Sequence, residues 1–131
     1  MQSNIQKNNS ANHYDVIVLG AGAAGLMAAI TAASRNRSVL VVEKSNKIGK
    51  KILMSGGGKC NFTNTSIEFD NFISQNPHFC KSALSRYTAF DFIKLVEKHA
   101  IEYEERKDHQ MFCVHSSKDI VNMLQKECSV S

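Results

Sequence analysis

Gly20-Ala-Gly-Ala-Ala-Gly25 stands between two short apolar runs, and it constrains the fold more than any other stretch of the chain. The run before it, Tyr14-Asp-Val-Ile-Val-Leu19, is β-branched and of strand length, fit for burial on both faces. The residues after it, Ala23 to about Arg35, are rich in Ala, Leu and Met, which favour a helix. Ser38-Val-Leu-Val-Val-Glu43 reads as a second buried strand. Strand, glycine turn, helix and strand within thirty residues predict the first half of a parallel α/β sheet.

The spacing also predicts a ligand. The turn has the form G-x-G-x-x-G, and Glu43 follows Gly25 by 18 residues. Gly20 permits the tight turn, Gly22 admits a pyrophosphate close to the backbone, and Gly25 lets the helix pack on the strand. Free N–H groups at the helix start then face a dianion, with the helix dipole behind them. A carboxylate at 43 accepts hydrogen bonds from ribose hydroxyls and repels a 2′-phosphate, which favours FAD or NAD over NADP. The bland alternative is a glycine turn that binds nothing. A P-loop is excluded, because Leu53 and Cys60 stand where that motif needs Gly and Ser or Thr.

All seven glycines lie between Gly20 and Gly58, and the positive charge is concentrated there too. Residues 35–59 hold seven bases against Glu43 alone, whereas residues 60–131 hold eight bases against ten acids. The aperiodic stretch from Lys44 to Asn64 is basic and then glycine-rich, and long irregular loops in compact domains usually bind something. Within it, Lys50, Lys51 and Lys59 supply charge, while Asn61, Thr63 and Asn64 supply neutral donors and acceptors. A solvated basic loop is the alternative. Nucleic-acid binding is disfavoured, since residues 35–59 contain no Phe, Tyr or Trp to stack on bases.

Beyond residue 64 the pattern is mostly helical. One or two helical turns are expected over Ile67–Ser74, a helix from Asn76-Pro77 to about Tyr87, and another capped by Thr88 with Asp91. Ile101–Glu104 and Met111–Val114 alternate as paired strands, and Ser116 or Ser117 caps a last helix bearing Ile120, Val121, Leu124 and Cys128. Met1–His13 reads as a disordered polar tail. Val16–Ser34 is nineteen uncharged residues long, but its internal change from β-branched to Ala-rich fits strand, turn and helix rather than a membrane span. Cys60, Cys80, Cys113 and Cys128 show no C-x-x-C, so neither zinc nor any other metal is expected, and free thiols in a reducing cytoplasm are. Cys60 is expected to pack or line a site rather than react.

The stretches Asp15–Ala29, Val41-Val-Glu-Lys44, Lys47-Ile-Gly-Lys-Lys51 and Ser55-Gly-Gly-Gly-Lys-Cys-Asn-Phe-Thr-Asn64 resemble the N-terminus of the YhiN/BaiN-like flavoproteins. Phe112-Cys-Val-His-Ser-Ser-Lys118 continues the resemblance more loosely, with Asp108-His109-Gln110 where that family often has a glycine turn. The resemblance implies a partial Rossmann-type FAD-binding domain over residues 14–131: a βαβ unit and flavin-proximal loop over 14–64, then a helical and hairpin extension over 65–131. It implies FAD, with adenosine at Glu43 beside Lys44, pyrophosphate at Gly20, Gly22, Ala23, Ala24 and Gly25, and Lys51 adding charge. It also implies that Gly56, Gly57, Gly58, Cys60, Asn61 and Thr63 run near the flavin. The family is much longer, so a truncated, catalytically incomplete oxidoreductase is expected. Its substrate and catalytic residues are unknown, NAD(P)H is a candidate electron donor, and neither nucleic acid nor membrane is expected as a partner. An NAD-binding Rossmann protein and a non-enzymatic basic module are the alternatives.

Overall fold

The computed structural model describes residues 13–130; the expected tail over 1–12 lies outside the described residues. Strand β1 (Val16–Leu19) enters the glycine turn, helix α1 (Ala23–Ala33) follows, and strand β2 (Val39–Val42) returns parallel to β1. The register pairs Val16 with Val39 and Leu19 with Val42. This is the expected parallel unit of a Rossmann domain, with shorter ends. At its start the Asp15 carboxylate accepts the Ser38 N–H at 2.8 Å, which fixes where the strands begin to pair.

The segment expected to be irregular is not wholly so. Helix α2 (Lys50–Met54) and strand β3 (Asn61–Asn64) lie within it. Five residues are too few to show helical periodicity, and Asn61-Phe-Thr-Asn64 has one large apolar side chain, so neither element carries a hydrophobic pattern. Ile67–Ser74 contains only a single 3₁₀ turn, Phe69–Asn71. Helix α3 begins at Lys81, later than Asn76-Pro77, and ends at Arg86. Helix α4 (Ala89–Lys98) has the expected cap: the Thr88 hydroxyl accepts the Asp91 N–H, and Asp91 accepts the Thr88 N–H at 2.8 Å.

Strands β4 (Tyr103–Arg106) and β5 (Gln110–Cys113) form the expected hairpin, and β3 adds to the far side of β5. The turn between them puts two non-glycine residues in the left-handed region, Asp108 at φ +59° and His109 at φ +60°. The Asn64 side-chain amide donates to the Asp108 carbonyl at 2.7 Å and ties that turn to the end of β3.

Helix α5 (Ser117–Val130) joins the two sheets. Its Ile120, Val121, Met123 and Leu124 are buried and pack with Leu26, Ile52, Val96 and Cys113. Burial of each such aliphatic side chain is worth roughly 1.5–3 kcal/mol, so α5 is the main mortar between the βαβ unit and the hairpin. At the edge of this core Phe62 of β3 meets Phe92 at a tilt and Tyr103 edge-on, with ring centroids 5.9 and 5.8 Å away. One expectation is corrected: β1 is not buried on both faces. Ile17, Leu19 and Val42 are exposed, because α1 covers only one face of the two strands.

Candidate functional site

The glycine turn is held by a backbone hydrogen bond and by a close approach that only glycine allows. Gly20 sits at φ +99°, and its N–H donates to the Val42 carbonyl at 2.7 Å, which holds the turn at the C-terminal end of the sheet. A Cβ at Gly25 would come within 1.9 Å of the Gly20 carbonyl oxygen, so only glycine lets α1 start so close to β1. A Cβ at Gly20 or Gly22 would meet nothing within 4 Å, so the turn faces open space. Helix α1 begins at Gly22 without a side-chain cap and without an acid in its first turn. Its first helical bond runs from the Leu26 N–H to the Gly22 carbonyl, so the preceding N–H groups have no acceptor within the helix.

Glu43 closes the other side. Its Oε2 accepts the Ala21 N–H at 2.7 Å and its Oε1 accepts the Ser45 N–H at 2.8 Å. These bonds, the Ser45 N–H first and the Ala21 N–H next, hold the carboxyl below its ordinary value, so it is ionised at neutral pH. A carboxylate offers about four acceptor positions, which leaves one on each oxygen for a pair of ribose hydroxyls.

Between turn and carboxylate lies a crevice of about 560 Å³. Of the residues expected at the site it brings together Gly20, Gly22, Ala23, Ala24, Gly25, Glu43 and Lys51. Lys44 is exposed and outside the lining. Lys50, expected to supply charge, also lines the crevice, and so do Ser45, Lys47 and Gly49, to which no contact was assigned. Gly49 had a legible signal, a glycine before two lysines. It adopts φ +62°, and its N–H donates to the Ala21 carbonyl at 2.8 Å. That bond clamps the start of α2, with Lys50 and Lys51, against the glycine turn.

A smaller cavity of about 250 Å³ adjoins the crevice and shares Ala23, Lys51 and Ile52 with it. Cys60, Asn61, Met27, Phe62 and Phe92 line it. Cys60 is buried, and burial pushes its thiol up; burial pushes Cys113 up to about 12. Both are protonated at neutral pH and unsuited to nucleophilic attack.

The glycine run shapes the backbone. Gly56, Gly57 and Gly58 take φ of +56°, +62° and +85°, and a Cβ at Gly56 would lie 2.6 Å from Cε1 of Phe112. None of the three lines either cavity, nor does Thr63, which pairs with Met111 in the sheet. The left-handed turn reverses the chain so that β3 can join β5. Lys59 does not face the crevice either: its ammonium donates to the Val114 and His115 carbonyls, both at 2.8 Å.

Among the described residues no helix is long and apolar enough to cross a membrane. A family model described as the HI0933-like protein Rossmann domain matches residues 14–131. The chain is similar to a protein named ribosomal RNA dihydrouridine synthase from Escherichia coli (strain K12), 52% identical over 115 residues, covering 88% of this chain and 29% of that protein. The protein of the same name from Haemophilus influenzae is 53% identical over 112 residues, covering 86% and 28%. A 3-dehydro-bile acid delta(4,6)-reductase from Clostridium scindens is 36% identical over 72 residues, covering 53% and 18%. The chain thus spans under a third of the length of the curated relatives it matches.

Proposed function

The chain belongs to the HI0933-like Rossmann-domain family, and from that premise we propose that it holds the ADP half of FAD for an oxidoreductase that reduces uridines of ribosomal RNA. The observation that carries the cofactor is the crevice between the uncapped start of α1 and the ionised Glu43. N–H groups at Gly22, Ala23 and Ala24 bind the diphosphate, and Lys50 and Lys51 neutralise it. Glu43 grips the ribose through the acceptor positions its backbone bonds leave open.

The adjoining cavity supports FAD over NAD: Asn61 would supply polar contacts to an isoalloxazine ring, and Met27, Phe62 and Phe92 an apolar wall. Bound FAD supplies a two-electron carrier able to pass a hydride to an unsaturated carbon. The substrate class follows the two relatives named for ribosomal RNA, which are more than half identical to this chain. It replaces the sequence-based expectation of no nucleic acid. NAD(P)H is the electron donor in this reading, and the four free thiols suit the reducing cytoplasm.

Titration of the chain with FAD, followed by flavin fluorescence, tests the cofactor. Binding that ADP competes away is expected. Glu43→Ala should weaken it about tenfold or more, since hydrogen bonds to a charged group are worth about 1.5–3 kcal/mol. Affinity unchanged in that variant would remove the assignment.

A further inference from the structure

A second groove, separate from the crevice at the glycine turn, runs along the flank of α1. It measures about 710 Å³, and Met27, Ala28, Thr31, Ala32 and Arg35 form one wall while Arg86 and Tyr87 form the other. Arg35 and Arg86 are its only charged lining residues, and neither is in a salt bridge among the described residues. Among the described residues the Arg86 guanidinium donates to the Ser82 hydroxyl, and Tyr87 is 42% exposed. We propose that this groove seats a single-stranded segment of the RNA substrate, with Arg35 and Arg86 on phosphates and a base stacked on Tyr87.

This rests on the reading of RNA as the substrate and adds where the strand lies. Two guanidiniums flanking an exposed aromatic ring are what single-stranded nucleic acid needs: charge for the backbone and a π-face for a base. The carboxylates that act on Tyr87, Asp91 and Glu127, are already engaged. Asp91 accepts from Thr88 and lies 3.7 Å from the Lys94 ammonium, and Glu127 is held by Lys98 at 2.8 Å and His99 at 2.6 Å. Arg35 and Arg86 are thus the charges that the groove lining itself presents.

Its direction fits the chemistry. Met27 lines both this groove and the cavity beside Cys60 and Asn61. At the helical rise, Met27 and Ala33, the last residue of α1, are about 9 Å apart, and Arg35 follows just beyond the helix, which leaves room for a few nucleotides at ~3.4 Å per stacked base. A strand held at Arg35 and Tyr87 thus leads a base toward the proposed flavin ring. The missing aromatic partner of the basic block is also supplied: Tyr87, remote in sequence, stands opposite Arg35.

The test uses a fluorescently labelled twelve-nucleotide oligouridylate and the wild-type chain, followed by anisotropy across a salt series. Arg35→Gln and Arg86→Gln should each lower the slope of log affinity against log salt by about 0.7. Tyr87→Leu should weaken binding about tenfold, and Tyr87→Phe should restore it. Saturating FAD should not displace the RNA, and every variant should bind FAD as wild type does, which shows that it is folded. Photocrosslinking of a 4-thiouridine version to the wild-type chain should label peptides containing Tyr87 or the C-terminal end of α1, and needs no variant. RNA bound with unchanged affinity and slope in the variants, or crosslinked elsewhere, overturns the groove and leaves the RNA substrate standing. No RNA binding by a wild-type chain that binds FAD overturns both, while FAD binding remains.

Discussion

Glu43 reaches back from the end of β2 to the glycine turn, where its Oε2 accepts the Ala21 N–H at 2.7 Å. The same carboxylate accepts the Ser45 N–H, so one side chain fixes the turn and the loop that follows β2. Ligand site and local fold are coupled through a single charge.

Acid should therefore loosen the site. The folded-state carboxyl of Glu43 is held below its ordinary 4.5, chiefly by the Ser45 N–H. A lowered folded value means that the stability it contributes is complete above 4.5 and is lost as pH falls through the lowered value. Urea midpoints at pH 7 and pH 3 should differ more for wild type than for Glu43→Gln, which has no proton to take up there. Equal pH dependence in the two proteins would exclude this coupling.

Gly25→Ala should be severely destabilising. The new Cβ falls 1.9 Å from a backbone oxygen, and backbone cannot rotate aside as a side chain can. A loss of about 3 kcal/mol is expected, seen as a lower urea midpoint and weaker FAD binding. A variant as stable as wild type would show that α1 does not approach Gly20 so closely.

Gly56→Ala and Gly57→Ala should separate two costs. Both positions are left-handed, which costs an L-residue about 1–2 kcal/mol. Only at Gly56 would the methyl also strike the Phe112 ring and the Asn61 amide nitrogen, at 2.6 and 2.8 Å. Gly56→Ala should lose at least about 1 kcal/mol more than Gly57→Ala in chemical denaturation. Equal losses would mean that the run serves only backbone conformation.

Lys59→Met should cost stability but not FAD affinity. Its ammonium satisfies two carbonyls just after β5, and hydrogen bonds from charged groups contribute about 1.5–3 kcal/mol. A variant that keeps wild-type stability but binds FAD more weakly would return Lys59 to the phosphate site.

The βαβ unit and the crevice were legible because their determinants are local. Gly20, Gly22 and Gly25 fall within one turn, and Glu43 reaches them through a parallel pairing that the two β-branched runs dictate. The cap at Thr88 and Asp91 was legible for the same reason, as its donors and acceptors are three residues apart. Strand β3 was not, since Asn61-Phe-Thr-Asn64 becomes a strand only by pairing with β5.

By itself, the sequence determined where backbone must bend, which runs pair as strands, and where a carboxylate follows a glycine turn. Those choices depend on φ/ψ limits and hydrophobic period over a few residues. Only the tertiary structure decided that Gly56 makes room for Phe112, that Lys59 serves the carbonyls after β5, and that Arg35 faces Arg86 and Tyr87. Each of these joins residues more than fifty positions apart. Such meetings are set by how α5 packs the two sheets together, and no pattern within a short window encodes that packing.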